Sequence, residues 1–266
     1  MKLFRRCLIA LLLFAVIAAA VEVNIYFSGA RVMVYMYHSV SAEPFNPDDE
    51  ALSVLPEQFE KQLAYFVSRG IETVFASELP ELDETTGPRR VVLTFDDGYE
   101  DNYTEAFPLL KKYGCKATIF MIASCIDTPG YLTSAQLREM TDSGLVSIQS
   151  HTVSHVPMAW GDKTYEDVVY ELRESRRIIE EAAGAPVTVL SIPNGSFDET
   201  IIDIAKDYYS VAFTGTGLRN YSKADIMDIY RVGIYRRHSA SDVRRMTDHR
   251  VLYVAKRGLE KLLGIE

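Results

Sequence analysis

Arg90-Val91-Val92-Leu93-Thr94-Phe95-Asp96-Asp97-Gly98 sets how the rest of the chain is read. A short apolar run rich in β-branched and aromatic residues reads as a strand. Two adjacent carboxylates and a glycine stand where that strand ends. Asp-Asp-Gly is ordinary turn chemistry. Side by side at the mouth of an apolar sheet, however, two unpaired carboxylates repel and raise each other's pKa unless a cation or donors hold them.

Similar runs recur on both sides: Arg31 to Tyr37, Glu72 to Phe75, Ala117 to Ile122, Val146 to Gln149, Val187 to Ile192, Ser210 to Thr214 and Ile229 to Tyr235. Stretches of helical period lie between them. Pro56 opens one that puts Phe59, Leu63 and Phe66 on one face and stops at Gly70. A second spans Asn102 to Tyr113, Thr133 with Gln136 forms a capping box for a third, and Thr164 starts a fourth that turns Val168, Leu172, Ile178 and Ile179 inward and ends near Gly184. Strands alternating with helices predict an α/β fold with parallel strands. Seven or eight such units predict a closed or partly closed β/α barrel, an open doubly wound sheet being the alternative. Both carry their sites at the carboxyl ends of the strands.

The chain has 266 residues, 48% hydrophobic and 24% charged, which suits a single globular domain. A formal net charge of −9, with both signs mixed along the chain, argues against a nucleic-acid partner. Lys2, Arg5 and Arg6 precede an apolar run from Cys7 to Val21 that includes Ala18-Ala19-Ala20. That is an export signal. Ala18 and Ala20 suit cleavage, while apolar residues continuing to Phe27 suit an uncleaved membrane anchor. The expected organisation is a signal peptide or anchor over residues 1–27 and a catalytic domain over 28–266, outside the cytoplasm; the oligomeric state is open. Cys115 and Cys125 flank the strand from Lys116 to Ile122, which at about 3.3 Å per residue holds them beyond disulfide reach. Two free, mostly buried thiols are expected.

Other strand ends carry chemistry too. Val146 to Gln149 runs into Ser150-His151-Thr152-Val153-Ser154-His155, so two of five histidines fall four residues apart. On a helical turn they would share a face and chelate one ion. With a carboxylate from Asp96-Asp97, two imidazoles leave coordination positions open for water, the mark of a catalytic site. The first strand delivers His38 to the same rim. Ser191-Ile192-Pro193-Asn194-Gly195 ends another strand in a rigid turn whose backbone N–H groups can face the site, although any tight loop uses Pro and Gly.

Thr94-Phe95-Asp96-Asp97-Gly98 followed by Ser150-His151-Thr152-Val153-Ser154-His155 resembles the first two motifs of the polysaccharide deacetylase family, carbohydrate esterase family 4. The resemblance follows the family's order from about Val34 to Tyr235. It implies a distorted (β/α)7 barrel, with Asp97, His151 and His155 as ligands of one divalent metal ion and Asp96 as general base. Zinc suits those ligands, as would cobalt, nickel or iron. Met36-Tyr37-His38-Ser39-Val40 is similar to the poly-N-acetylglucosamine deacetylase branch, which implies His38 as general acid. The late histidine His238 is the competing candidate; two arginines before it and a polar run after it give it the look of a solvated helix start. The third motif departs from the family pattern: Ser191 stands where many members have arginine, and Asn194 where they have tyrosine. A backbone N–H at Asn194, in the turn set by Pro193, can still serve an oxyanion, and Arg231 is the candidate for the missing positive charge.

The resemblance thus implies removal of N-acetyl groups from N-acetylglucosamine units of a surface polysaccharide, releasing acetate. Peptidoglycan, an O-acetyl ester or a non-sugar amide are alternative substrates, because these motifs specify hydrolysis and not the remainder of the ligand. A non-catalytic carbohydrate-binding protein is the rival from another class.

Overall fold

The computed structural model describes residues 31–83, 87–157, 163–217 and 221–248. The segment from 1 to 27, read as a signal or anchor, lies outside them. No helix among the described residues is long and apolar enough to cross a membrane.

Ten strands form among the described residues: β1 Val32–Tyr37, β2 Ser39–Val40, β3 Ser53–Val54, β4 Glu72–Val74, β5 Arg90–Phe95, β6 Ala117–Met121, β7 Val146–Ser150, β8 Val189–Ser191, β9 Val211–Thr216 and β10 Ile229–Gly233. Strand β5, read from its apolar run, pairs with β1 along its whole length, from Val32 against Arg90 to Tyr37 against Phe95. On its other edge it pairs with β6 only at Thr94 and Phe95, which leaves its lower half to β4. The sheet therefore closes on itself through β1, β10, β9, β8, β7, β6 and β5, all parallel, with β4 as an eighth strand outside the ring. This is a distorted (β/α)7 barrel, and the open-sheet alternative is excluded. The distortion is local. Strands β7 and β8 share one paired position, Ser150 with Leu190, where β6 and β7 share five. Across that gap the Gln149 carboxamide oxygen accepts from the Thr188 and Val189 backbone N–H groups, both at 2.8 Å.

Among the described residues six helices surround the ring: α1 Pro56–Ser68, α2 Phe107–Tyr113, α3 Ser134–Asp142, α4 Tyr165–Ala183, α5 Glu199–Ala205 and α6 Ala240–Asp248. Helix α1 buries Phe59, Leu63 and Phe66 as its period requires, and Phe59 meets Tyr37 and Phe95 edge-on at 5.4 and 5.7 Å. The capping box at Thr133 and Gln136 and the left-handed stop at Gly184 form as read from the sequence. The segment from Asn102 begins as a π-turn over Asn102–Ala106 before α2 continues it. Cys115 is buried, Cys125 half-buried, and both are free.

Strand alternation sorts the side chains. Met33, Tyr35, Val91 and Leu93 face the helices, while Val34, Val92, Phe120, Val189 and Phe213 fill the barrel. Extending the inward set by twos reaches His38 from Val34, Asp96 from Val92 and Ser191 from Val189. The period that packs the barrel interior therefore also aims these side chains into its mouth.

Candidate active site

Alternation sends Asp96 inward and would send Asp97 out. Asp97 has φ of +72°, a left-handed backbone that turns its carboxylate back to the same mouth. Gly98, at φ +79°, continues the turn, and a Cβ there would sit 2.2 Å from Met121 Sδ. Left-handed backbone is costly for a non-glycine residue, about 1–2 kcal/mol. It recurs at Thr152, His155 and Asn194, so four of the five such residues described belong to this rim.

His151 and His155 do not share a helical turn, contrary to the reading of their spacing. They leave β7 on an irregular loop whose two left-handed residues bring the rings to 4.8 Å between centroids. A buried carboxylate shapes that loop. Glu171 of α4 accepts from the Val153 N–H at 2.8 Å, the Ser154 N–H at 3.0 Å and the Ser154 hydroxyl. Sequence reading missed Glu171, because a glutamate in an acidic amphipathic helix looks like part of the solvated face. Only its position one residue before the inward Leu172 hinted otherwise. Replacing Glu171 with alanine is expected to weaken divalent-cation affinity about 10- to 100-fold, the usual cost of losing a group that orients ligands. Competition with a chromophoric chelator reads this directly, and unchanged affinity would remove Glu171 from the site.

Ligand atoms of Asp97, His151 and His155 all lie within 4.8 Å of one another. Both Nε2 atoms are 3.5 Å from Asp97 Oδ1. That oxygen is buried and accepts no hydrogen bond from any described residue. His151 Nδ1 lies 2.7 Å from the Ser191 carbonyl, which can only accept, so the proton belongs on Nδ1 and the Nε2 lone pair faces the gap. Burial lowers His151 to about 4 and lowers His155 as well, so both rings are neutral at physiological pH. Burial pushes Asp97 up to about 6, with the Asp96 charge adding to the rise against an opposing pull from His38. A desolvated carboxylate oxygen with no described donor, beside two neutral imidazole nitrogens, is a donor set that suits a divalent cation.

Asp96 is held differently. Arg231 donates from Nη1 and Nη2 to its two oxygens, each at 2.6 Å, and also to Thr94 Oγ1 at 3.1 Å and Ser191 Oγ at 2.8 Å. The guanidinium lies between Phe120 and Phe213, 5.4 Å from each ring centre. Burial alone would raise Asp96. The Arg231 charge and hydrogen bonds, aided by His151 and His38, hold it well below the usual carboxylate range. Ser191 thus leaves room for an arginine arriving from β10.

One cavity of about 650 Å³ is lined by every residue expected at the site except Pro193, which is buried behind its turn. Asn194 stands at φ +57° on that turn, and no described acceptor takes its N–H. His38 lines the cavity with Nδ1 buried and unpartnered, while its carbonyl accepts from Asn102 Nδ2 at 2.9 Å. His238 does not line it. Its ring is 7% exposed, packs on Tyr235 at 5.6 Å and accepts the Tyr235 N–H at 3.0 Å. The expected solvated helix start is therefore a buried turn, because the side chain folds back to cap its own backbone.

A closed parallel barrel carrying a carboxylate and two histidines at the carboxyl ends of its strands defines a (β/α)7 protein of the deacetylase type. The sequence model of the polysaccharide deacetylase family matches residues 83–211, a span that contains Asp96, Asp97, His151, His155 and Ser191. The chain is 33% identical over 180 residues to the protein YxkH of Bacillus subtilis (strain 168), covering 66% of this chain and 61% of that one. It is 31% identical over 134 residues to the poly-beta-1,6-N-acetyl-D-glucosamine N-deacetylase of Escherichia coli (strain K12), covering 44% and 20%. The chain thus spans about three-fifths and one-fifth of the lengths of these curated relatives. Among solved structures, the Streptococcus pyogenes deacetylase PplD in complex with acetate superposes with a TM-score of 0.73 at 26% identity, covering 81% of this chain and 97% of that one.

Proposed function

We propose that the protein hydrolyses N-acetyl groups of N-acetylglucosamine units in an extracytoplasmic polysaccharide, releasing acetate. What carries the reading is the convergence of Asp97, His151 and His155 on one point beside an aspartate held ionised by Arg231. Those three residues would hold one divalent cation, with zinc, cobalt, nickel or iron all suited to the set. When bound, the cation acidifies water and polarises the acetyl carbonyl.

The chain's own groups do the rest. Asp96 accepts the proton of the water that attacks the carbonyl carbon. The Asn194 N–H donates to the carbonyl oxygen as its charge grows. His38, carrying a proton, gives it to the sugar nitrogen as the carbon–nitrogen bond breaks, leaving an amine and acetate. Arg231 fixes both oxygens of Asp96, so the base cannot rotate away from the water. The charged start and apolar run before residue 28 support a place outside the cytoplasmic membrane, free or anchored.

The test is acetate release from poly-β-1,6-N-acetylglucosamine, chitin oligomers, intact peptidoglycan and acetylxylan, with a divalent cation and after chelation. Release from an N-acetylglucosamine polymer, abolished by chelation, is expected. In the same assay His38→Ala should lose about 10²- to 10⁴-fold in kcat on the amide and much less on an aryl acetate, whose leaving group needs no proton. Silence on every N-acetylglucosamine polymer with cation present would overturn the reading, and equal losses on both substrates would remove His38 as the acid.

A further inference from the structure

We propose that Phe45 forms a second sugar-binding position beside the reaction cavity and stacks on the next pyranose ring of the same glycan chain. The proposal rests on the reading of the substrate as a polysaccharide. Phe45 is 60% exposed, a costly state for a phenyl ring, yet hydrogen bonds hold its loop on both sides. Arg236 donates to the carbonyls of Ser41 and Ala42 at 2.8 and 2.9 Å, and Asn46 caps the turn over Pro47–Leu52. Prolines at 44 and 47 stiffen the segment further.

The ring itself has a prepared seat. It lies against Gly130, where any Cβ would come within 2.4 Å of it and where φ is +83°. Tyr131 meets it edge-on at 6.5 Å between centroids and stacks in turn on Tyr99 at 5.4 Å. A ring supported on one side and open on the other offers the apolar face that the C–H side of a pyranose covers. Polar partners for hydroxyl groups stand next to it: Asp49 accepts from Asn46 Nδ2 and from the Tyr99 hydroxyl, both at 2.9 Å. Asp49 and Tyr99 lie beneath the Phe45 loop and also line the reaction cavity, so the two surfaces adjoin. Because the loop is already ordered, stacking there loses little conformational freedom.

The experiment is calorimetric titration of Asp96→Asn protein, with and without Phe45→Ala, using dimers and hexamers of β-1,6- and β-1,4-linked N-acetylglucosamine. Phe45→Ala is expected to weaken hexamer affinity roughly tenfold and to cut the hexamer-to-dimer ratio by a similar factor. Val67→Ala, which truncates another exposed apolar side chain, on α1, should change neither. Equal hexamer affinity with Phe45 or alanine, or no hexamer binding, overturns the proposal. So does a change confined to self-association or vesicle binding. Acetate release from the same hexamers by the unaltered protein separates the two readings: release without Phe45-dependent affinity overturns the sugar position alone.

Discussion

Asp96→Asn protein is expected to keep its divalent cation and lose about 10²- to 10⁴-fold in kcat, the contribution typical of a positioned general base. The asparagine oxygen can still accept one N–H from Arg231, so the fold has a route to tolerate the change. It cannot take a proton from water. Asp97→Asn should behave differently, because Asp97 Oδ1 is the buried oxygen to which both Nε2 atoms point. There the cation itself should be lost. Metal content by elemental analysis, beside kcat on the best substrate of the acetate panel, separates the two roles. Equal cation loss in both variants would show that the adjacent carboxylates share one function.

The second large effect concerns Arg231, which is 4% exposed. Arg231→Met leaves Asp96 buried without its partner, and breaking such a pair typically costs about 3–5 kcal/mol. The pH dependence gives the signature. With Arg231 present the folded-state pKa of Asp96 is depressed, so its contribution to stability is present above the ordinary carboxylate value and is lost as pH falls through the folded value. Without Arg231, burial loses its main opponent and raises the pKa, so the penalty is absent below the ordinary value and appears as pH rises. The stability gap between the two proteins should therefore widen from about pH 3 to pH 7. Urea unfolding at the two pH values measures it. The double variant Asp96→Asn/Arg231→Met should recover much of the loss, having no buried charge left to strand. A gap that is constant with pH would mean that Arg231 acts through packing between Phe120 and Phe213 alone.

How much of this was legible depended on the range over which each residue's role is decided. The strands were legible because their apolar runs are local, and the inward aim of His38 and Asp96 follows from alternation within one strand. That Arg231 reaches Asp96 is a property of ring closure, which brings together positions 135 apart; the sequence offered Arg231 as the candidate for the charge missing at Ser191 but not the contact it makes. The left-handed backbone at Asp97, Thr152 and His155 was hidden, because any of these residues would ordinarily avoid it, and so the histidine pair looked helical. Glu171 was hidden for the opposite reason, being ordinary in composition and exceptional only in what it holds. His238 misled because the polar residues beside it describe the surface of its turn, while its own ring packs beneath.

A closed ring of strands has no free end, and a strand can leave it only by parting from two neighbours. Between β7 and β8 one of those partings is already half made, with a glutamine side chain standing in for rungs of the ladder. If thermal motion opens the barrel first along this line, the opening is also an inactivation. The seam divides His151 from the Ser191 carbonyl that sets its tautomer, and runs along the strand whose Ser191 hydroxyl helps to orient Arg231. Activity would then be lost on the timescale of a local fluctuation, before the molecule as a whole has melted.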